Sequence, residues 1–321
     1  MKAINTAWLL VLVSLVSCNK GDGSKDIIRQ NALKGLPGIM YYEWADDGVY
    51  ALTPKALSKT VFLPDDPARN SWYISRNNQF VLSCSDSPNQ DYGAYQFTIT
   101  NASGGDVISQ FSYYPTNGST NTATGSLSAD GTLIAVNPTY DDGIVVLDDQ
   151  GNEIQHIEQV NNEKITTDPV WMPDNTLLFC HHNLLLKTNE AFNDVTLVKT
   201  FDWPDPDGLT VSRNGAKIAV EAAGHIWLMN ADGSGLTQVT TSSSSAEVAP
   251  EFSPDGQYLL VGTNYHTTTG GGPWGYYYDL KVIPADGNLY AVDDGAESDG
   301  VITVQLPNGY PESASGKVCW R

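Results

Sequence analysis

Residues 251–261 read EFSPDGQYLLV, and this stretch decides the fold. Pro254 presets φ for the first position of a tight turn, Asp255 tolerates the second, and Gly256 supplies the residue with positive φ that closes it. An aromatic residue precedes the turn, and a short apolar run follows it. The stretch therefore predicts a β-hairpin whose strands pack between neighbouring layers of sheet.

The same pattern recurs four more times. The copies are WYISRNNQFVL (72–82), SLSADGTLIAV (126–136), VWMPDNTLLF (170–179) and TVSRNGAKIAV (210–220). Aligned on Ser75, Ser128, Met172, Ser212 and Ser253, they lie 53, 44, 40 and 41 residues apart. Where glycine is missing, Asn78 and Asn175 replace it, and asparagine tolerates a left-handed backbone. A period of roughly 40 to 50 residues is typical of one four-stranded β-propeller blade.

The two ends of the repeat region predict how the ring closes. Residues 317–320 (KVCW) have the pattern of the strand that precedes the turn, and 38–44, 48–52 and 60–63 supply the strands that would follow it. Strands from both termini would then share one blade, which protects exposed sheet edges. We expect an all-β, six-bladed propeller. An extra strand at 301–306 (VITVQL) would give seven blades, and a two-sheet β-sandwich is the alternative architecture.

The rest of the repeat carries a resemblance to a known family. Residues 226–233 read IWLMNADG, with Leu236-Thr237 and then SPDG (253–256) downstream; echoes of the first part occur at 144–157 and 280–292. This combination resembles the TolB-type propeller repeat. The resemblance implies partners among proteins of the bacterial envelope, and it assigns no interacting residue here.

The N-terminus has the pattern of a targeting segment. Lys2 is followed by an apolar run (7–16, AWLLVLVSLV) that is short for a membrane span, and then by Ser17-Cys18. This resembles a bacterial lipobox, which implies a signal peptide at 1–17, acylated Cys18, a flexible tether at 18–37 and the propeller domain at 38–321. Asn19 after the cysteine favours the outer membrane. The alternative is an ordinary secretory signal in which Cys18 is coincidental.

Charge and cysteine content narrow the classes of function. The chain has 37 acidic and 17 basic residues, a net charge of −20, so nucleic-acid binding is excluded and membrane contact is expected only through the lipid anchor. Cys84 and Cys180 close equivalent strands in different blades, too far apart to bridge, and with Cys319 they are expected to be buried free thiols. We expect a monomer.

Motifs for catalysis are missing from the sequence. It contains no Gly-x-Ser-x-Gly elbow, no His-Glu-x-x-His, no Cys-x-x-Cys and no phosphate-binding Gly-Lys-Ser/Thr loop. Because a propeller fold hosts scaffolds, binders and enzymes alike, function has to be argued from sites.

Three features remain as candidate sites. The first is a long insertion at 263–279, in which Tyr265, His266, Trp274 and Tyr276 are positioned to stack on a sugar ring or clasp a partner; the alternative is a hairpin whose aromatic residues only cover the adjacent strands. The second is His181-His182, which is not expected to chelate one metal because neighbouring strand residues face opposite ways. We expect no metal site and no cofactor there.

The third feature is a set of acidic pairs, at 141–142, 148–149, 202–207 and 293–294. Clustered carboxylates suit Ca²⁺, but none has the spacing of a calcium loop, and acidic turns are ordinary solvated surface. We therefore expect no cofactor, and bound Ca²⁺ is the alternative.

These features predict a lipid-anchored, non-catalytic envelope protein that binds a protein or a glycan. The alternative is a propeller-type polysaccharide lyase or hydrolase with histidines and carboxylates in its central funnel. The five histidines discriminate between the two, because the enzyme needs at least two of them with carboxylates in one pocket. They are His156, His181, His182, His225 and His266.

Overall fold

A computed structural model describes residues 23–87, 93–103, 105–115, 123–138, 143–243, 245–267, 275–307 and 309–321. Six antiparallel sheets are arranged around one axis as a six-bladed β-propeller. The predicted all-β fold and blade number are confirmed. Neither a seventh blade nor a two-sheet sandwich is present in the described part of the chain.

Each blade runs from an innermost to an outermost strand. Blade 1 contains Arg69–Ile74, Phe80–Asp86, Tyr95–Asn101 and Val107–Tyr113, and blade 2 contains Gly125–Leu127, Leu133–Val136, Ile144–Asp148 and Glu153–Ile157. Blade 3 contains Val170–Trp171, Leu177–His181, Leu184–Thr188 and Val195–Thr200, and blade 4 contains Asp207–Val211, Lys217–Ala222, His225–Asn230 and Thr237–Gln238. Blade 5 contains Val248–Phe252, Tyr258–Thr267, Tyr276–Pro284 and, end to end along its outer edge, Ile302–Thr303 and Ser313–Ala314. Blade 6 contains Val318–Trp320, Met40–Trp44, Gly48–Thr53 and Ser58–Pro64.

Smaller elements connect the blades. Gln159–Val160 and Glu163–Lys164 form an antiparallel hairpin, and Thr240–Thr241 pairs in parallel with Tyr290–Ala291. Two 3₁₀ turns (Ala45–Asp47 and Pro54–Ala56) lie in blade 6, and one α-helix (Gly23–Lys34) precedes it. Among the described residues, no helix has the length and apolar character needed to cross a bilayer.

The repeated pattern forms the turn between the first and second strands of blades 1 to 5. The residue on which the repeats align donates its N–H across the turn in every copy: Ser75 to Phe80, Ser128 to Leu133, Met172 to Thr176, Ser212 to Lys217 and Ser253 to Tyr258, at 2.8 to 3.0 Å. The left-handed residue has φ between 58° and 78° at Asn78, Gly131, Asn175, Gly215 and Gly256. The substitution of asparagine for glycine thus preserves the turn geometry.

Four of the five turns are stabilised by the serine hydroxyl. In blade 5, Ser253 Oγ accepts the N–H of Tyr258 at 3.0 Å and donates to Asp255 at 2.6 Å, and the serines of blades 1, 2 and 4 make the same two bonds. In blade 3, where Met172 has no hydroxyl, the turn is one residue shorter. The bond from the Thr176 N–H to the carboxylate of Asp174 is kept there, as its equivalents are in the other four turns.

Blade 6 is closed by both ends of the chain, as predicted. Val318–Trp320 pairs with Met40–Trp44 in the register Met40↔Trp320 and Tyr42↔Val318. At the place of the missing turn, Arg321 and Ile39 exchange two backbone hydrogen bonds. Trp320 is buried, and its indole N–H donates to the Pro37 carbonyl at 2.7 Å.

Antiparallel order gives the propeller two different faces. The turns between first and second strands lie on one, which we call the turn face. The hairpins between second and third strands lie on the opposite side, together with the segments that link one blade to the next. We call this opposite side the connector face.

The structure differs from the predicted tether over much of 18–37. The helix Gly23–Lys34 occupies this region, and Leu33 and Leu36 are buried in the cluster that contains Met40, Leu52 and Trp320. Leu33 lies in the last turn of the helix and Leu36 two residues beyond its end, so a segment that is polar on average still packs two leucines against the ring. Residues 1–22, including Cys18, lie outside the described residues.

The structure also answers two further expectations, one on the cysteines and one on residues 301–306. Cys84, Cys180 and Cys319 are buried free thiols, as predicted, and burial raises the pKa of each. The 301–306 stretch contributes Ile302–Thr303, which pairs with Val282 and Lys281 as an outer strand of blade 5. The end of the 280–292 segment was expected to form this outer strand, but Tyr290–Ala291 pairs with the connecting strand Thr240–Thr241 instead.

Candidate functional site

The blades surround a central cavity of about 240 Å³. Its lining contains six charged side chains: Arg76, Asp168, Asp207, Glu251, Lys317 and Arg321. The two arginines lie at the turn face, because both follow an innermost strand, whereas Asp168, Asp207 and Lys317 lie where innermost strands begin. The cavity therefore has two arginines at its turn-face end, which we call the floor. At its connector-face end, which we call the mouth, it has side chains of both charges.

The floor is held by contacts between blades, two of them between neighbouring blades and one across the ring. Arg321 Nε donates to the Ile74 carbonyl at 2.9 Å, and its Nη1 forms an ion pair with Glu251 of blade 5. Arg76 Nη1 donates to the Val211 carbonyl of blade 4. Burial alone would lower the pKa of the Arg321 guanidinium, but Glu251 outweighs this effect and raises it, so the guanidinium stays charged. These bonds close the channel at the turn face.

The mouth carries two carboxylates and a lysine. Asn137 Nδ2 donates to Asp168 Oδ2 and to Thr124 Oγ1, each at 2.8 Å, which fixes the orientation of Asp168. Desolvation inside the concave mouth raises the pKa of Asp168; Lys317 opposes this rise and Asp207 adds to it. Lys317 Nζ also lies 4.8 Å from the centre of the Tyr73 ring. The mouth thus offers both acceptors and a donor to a polar ligand.

Glu221 lies beside this mouth with an unusual protonation equilibrium. It pairs with Asp207 across the first two strands of blade 4. Burial, together with the charge of Asp207, raises the pKa of Glu221 to about 7, although a hydrogen bond from the Ala249 backbone opposes the rise. A carboxyl group with this pKa exchanges its proton near neutral pH.

The predicted aromatic hairpin lies on the connector face. Its strands, Tyr258–Thr267 and Tyr276–Pro284, have 10 and 9 residues and continue past Gly262, where pairing with the innermost strand ends. Tyr265 and Tyr276 stack with ring centres 5.6 Å apart and planes 23° apart, and Tyr276 is 40% exposed.

The opposite side of the hairpin pairs other aromatic rings. His266 is exposed and stacks on Tyr277 at 4.9 Å, and Tyr277 contacts Trp44 of blade 6. Trp274 lies outside the described residues. The structure thus brings Tyr265 and Tyr276 together and places His266 on a different stack, so the four predicted residues do not form one surface in the described part.

A buried lysine supports the base of this hairpin. Lys281 is fully buried, and its Nζ donates to the Val292 carbonyl and to Asp294, each at 2.7 Å, and to Glu297 at 3.2 Å. Asn264 Nδ2 bonds Asp294 at 2.8 Å and thereby joins the hairpin to the same network. A desolvated ammonium with three partners gives the base of the hairpin a defined position.

The acidic pairs at 148–149 and 293–294 accept ordinary hydrogen bonds. Asp148 accepts the N–H groups of Gln150 and Asn152 in its turn, and Asp293 accepts that of Ser243. Residues 141–142 lie outside the described residues. The calcium alternative stays untested.

The histidines do not line the central cavity in the described part of the chain. His225 Nδ1 lies 2.6 Å from the buried carboxylate of Glu247, His156 lies 3.9 Å from Glu158, and His266 is on the hairpin. Two histidines do converge with a carboxylate, away from the cavity: His181, His182 and Glu163 form a group whose ligand atoms all lie within 4.8 Å of one another.

This last group corrects the expectation for His181 and His182. Only His181 belongs to the strand, Leu177–His181; His182 lies in the following turn with φ of 50°. Because the backbone of His182 is left-handed, its side chain does not point away from His181 as it would in a continuous strand. The two ring centres are 4.6 Å apart. The sequence interpretation assumed that the strand continued through His182, and that assumption was wrong.

Sequence reasoning missed the charged residues of the cavity. None of them was assigned a role, although Arg76 lies in one copy of the repeat and Lys317 in the closing strand pattern. Arg76, Asp168, Lys317 and Arg321 each lie within two residues of an end of an innermost strand. Such positions face the propeller axis whenever the repeats close into a ring. The repeat alignment therefore contained a signal for them.

Known protein structures share this fold. No protein-family model and no curated protein matches the chain. Among solved structures, TolB from Acinetobacter baumannii is 18% identical with a TM-score of 0.57, covering 93% of this chain and 71% of that chain. A TolB-type structure from Agrobacterium tumefaciens is 15% identical with a TM-score of 0.53, covering 78% and 86%. A nidogen–laminin complex is 13% identical with a TM-score of 0.55, covering 88% and 98%.

Fold and cavity define the protein as a six-bladed β-propeller with a channel closed on one face. Its architecture is that of TolB-like propellers, as the repeat sequence predicted. At these identities the likeness is one of fold.

Proposed function

We propose that this chain is a non-catalytic binding module of the bacterial cell envelope, anchored through lipidated Cys18, and that it binds a protein or glycan at its connector face. The observation that carries the proposal is the Tyr265–Tyr276 stack on the hairpin of this face, in which Tyr276 is exposed and the half-buried Tyr265 supports it from the core side. Stacked aromatic rings offer a large, rigid contact area at low cost in conformational entropy.

The cavity mouth lies on the same face and adds polar specificity. The mouth presents hydrogen-bond acceptors on Asp168 and Asp207 and a donor on Lys317. Ligand-binding sites typically combine apolar area with a few precisely placed polar groups. Because the floor is closed by Arg76 and Arg321, a ligand enters from the connector face.

The disposition of the histidines favours binding over catalysis. A lyase or hydrolase of the kind considered above requires histidines and carboxylates in one funnel pocket. In the described residues the cavity lining has carboxylates and arginines without a histidine, and His181 and His182 lie outside it.

The envelope location is supported by the lipobox-like N-terminus and by the fold shared with TolB structures. The outer membrane is the proposed destination, with Asn19 as its basis. Labelling cells with an acyl-chain analogue tests the anchor: we expect the label on the wild type and its loss in Cys18→Ser. Equal labelling of both would refute the anchor.

The binding proposal is tested with a glycan array and a pull-down from solubilised envelope, each performed with wild type, Tyr276→Ala and Leu289→Ala. Leu289 is 56% exposed beside a turn on the opposite face and serves as the matched control. A central aromatic contact typically contributes about 2 kcal/mol, so Tyr276→Ala is expected to weaken binding by roughly 30-fold. Glycan turnover, or equal binding by both variants, would overturn the proposal.

A further inference from the structure

A polar cluster on the connector face of blade 3 joins three separate segments. Glu163 belongs to the short hairpin that leads into the blade, His181 ends its second strand and His182 begins the next turn. Asp205 lies in the segment that leads to blade 4. His182 Nε2 is 2.9 Å from Glu163 Oε2, and His181 Nε2 is 3.9 Å from the same oxygen. Both imidazoles thus turn the same nitrogen towards one carboxylate.

The His181 ring is poised to offer a lone pair. His181 is 4% exposed, and its Nε2 is buried without a hydrogen-bond partner. The ring is also hydrogen-bonded to the backbone of Val160, and because Nε2 has no such partner, we assign this bond to Nδ1. A proton on Nδ1 leaves Nε2 as an acceptor that points at Glu163. An unpaired buried nitrogen is costly unless something binds it.

The His182 ring is oriented in the same manner. Its Nδ1 lies 3.4 Å from Asp205 Oδ1, and its Nε2 faces Glu163. Histidines that bind metal through one ring nitrogen commonly donate the other N–H to a carboxylate or a backbone carbonyl. The Val160 backbone and Asp205 supply these two orienting acceptors, one for each ring.

The spacing and chemistry of the donors select the ion. Tetrahedral zinc ligands at their usual bond lengths lie about 3.3 Å apart, between the two distances from Glu163 Oε2 to the imidazoles. Two imidazoles with a carboxylate suit Zn²⁺ and its transition-metal neighbours, whereas Ca²⁺ and Mg²⁺ prefer oxygen ligands alone. The net charge of −20 also favours attraction of a cation.

The geometry points to a zinc site formed by Glu163, His181 and His182, with Asp205 as a positioning residue. Three protein ligands leave a fourth position for water or for an oxygen donor of a bound molecule. Bound Zn²⁺ joins the hairpin before blade 3 to the turn inside it. The site therefore stabilises the connector face independently of any ligand at the Tyr265–Tyr276 stack.

The test is a Zn²⁺ titration of the full chain, purified without a histidine tag and stripped with a chelator, in competition with a chromophoric chelator. We expect one Zn²⁺ per chain, no binding of Ca²⁺ or Mg²⁺ at the site, and a higher melting temperature with Zn²⁺. Co²⁺ in place of Zn²⁺ is expected to give the visible absorption of a four- or five-coordinate nitrogen and oxygen site.

Variants separate this site from general surface binding. Glu163→Gln and His182→Ala change residues that are largely exposed, so they are expected to fold and to weaken Zn²⁺ binding more than about 100-fold. Asp205→Asn is expected to cost about 10-fold. Glu158→Gln is the matched control, since Glu158 is another exposed glutamate 3.9 Å from a histidine. Failure of the wild type to bind Zn²⁺, or binding by Glu163→Gln and His182→Ala equal to the control, would overturn the proposal.

Discussion

The backbones of Ile39 and Arg321, 282 positions apart in sequence, exchange two hydrogen bonds, of 2.6 Å from the Ile39 N–H and 2.9 Å from the Arg321 N–H. In blades 1 to 5 the equivalent position is a covalent turn. Non-covalent pairing thus replaces the turn in blade 6, and the stability of the ring depends on the contacts around this junction.

Trp320 is the first place to test that dependence. Its side chain is 1% exposed and packs with Leu33, Met40 and Leu52. Replacing a buried tryptophan by alanine leaves a cavity and typically costs about 3 to 5 kcal/mol. We expect Trp320→Ala to lower the free energy of unfolding by this amount in urea titrations. Tyr310→Ala, at a residue that is 90% exposed, is the control and should change it by less than about 0.5 kcal/mol. Similar values for both would contradict the importance of the junction.

The ion pair between Arg321 and Glu251 gives a second prediction. Both side chains are largely buried, so removing one partner leaves an uncompensated charge, at a typical cost of about 3 to 5 kcal/mol. Glu251→Leu is expected to be strongly destabilised in denaturant titrations. The double variant Arg321→Met/Glu251→Leu is expected to recover much of the loss because neither charge of the pair is then left buried without its partner. A double variant less stable than Glu251→Leu would show that the pair does not act as a unit.

The repeated turn gives a third prediction. Gly256 has φ of 69°, and a Cβ there would meet no atom closer than Ser212 Cβ at 3.7 Å, so Gly256→Ala tests backbone strain without a clash. A non-glycine residue in this region costs roughly 1 to 2 kcal/mol. Gly275→Ala, where φ is not positive and no atom lies within 4 Å, is the control and should be near neutral in the same unfolding assay. Equal stability of the two variants would argue against a strained turn.

Glu221 gives a pH-dependent prediction. Its folded-state pKa of about 7 is above its ordinary value of 4.5, because burial and Asp207 disfavour the charged form. Between these values the folded state binds more protons than the unfolded state, so the stabilisation present below about pH 4.5 is lost as pH rises through 7.

Glu221→Gln cannot ionise and keeps an acceptor for the Ala249 N–H. The unfolding free energy of wild type relative to Glu221→Gln is therefore expected to fall between about pH 5 and pH 8. Glu190→Gln, at an exposed glutamate, is the control that should follow the wild-type curve. Parallel curves for wild type and Glu221→Gln would refute the raised pKa.

The sequence by itself determined the hairpin turns and the sharing of one blade between the termini, and it favoured six blades while leaving seven open. These features depend on local chemistry, in which residues such as Gly256 or Asn175 adopt a left-handed backbone within four or five positions of a strand. A period of about 40 residues then leaves few arrangements that bury both sides of every sheet.

Only the tertiary structure decided which side chains meet. Leu33 is buried because the helix packs against blades 5 and 6, although its segment is polar on average. Arg321 meets Glu251 because ring closure brings blades 5 and 6 together, and His182 turns towards Glu163 because one residue leaves the strand with positive φ. Contacts between blades depend on how the blades close into a ring and on the dihedral angles of single residues. Neither produces a periodic pattern in the sequence.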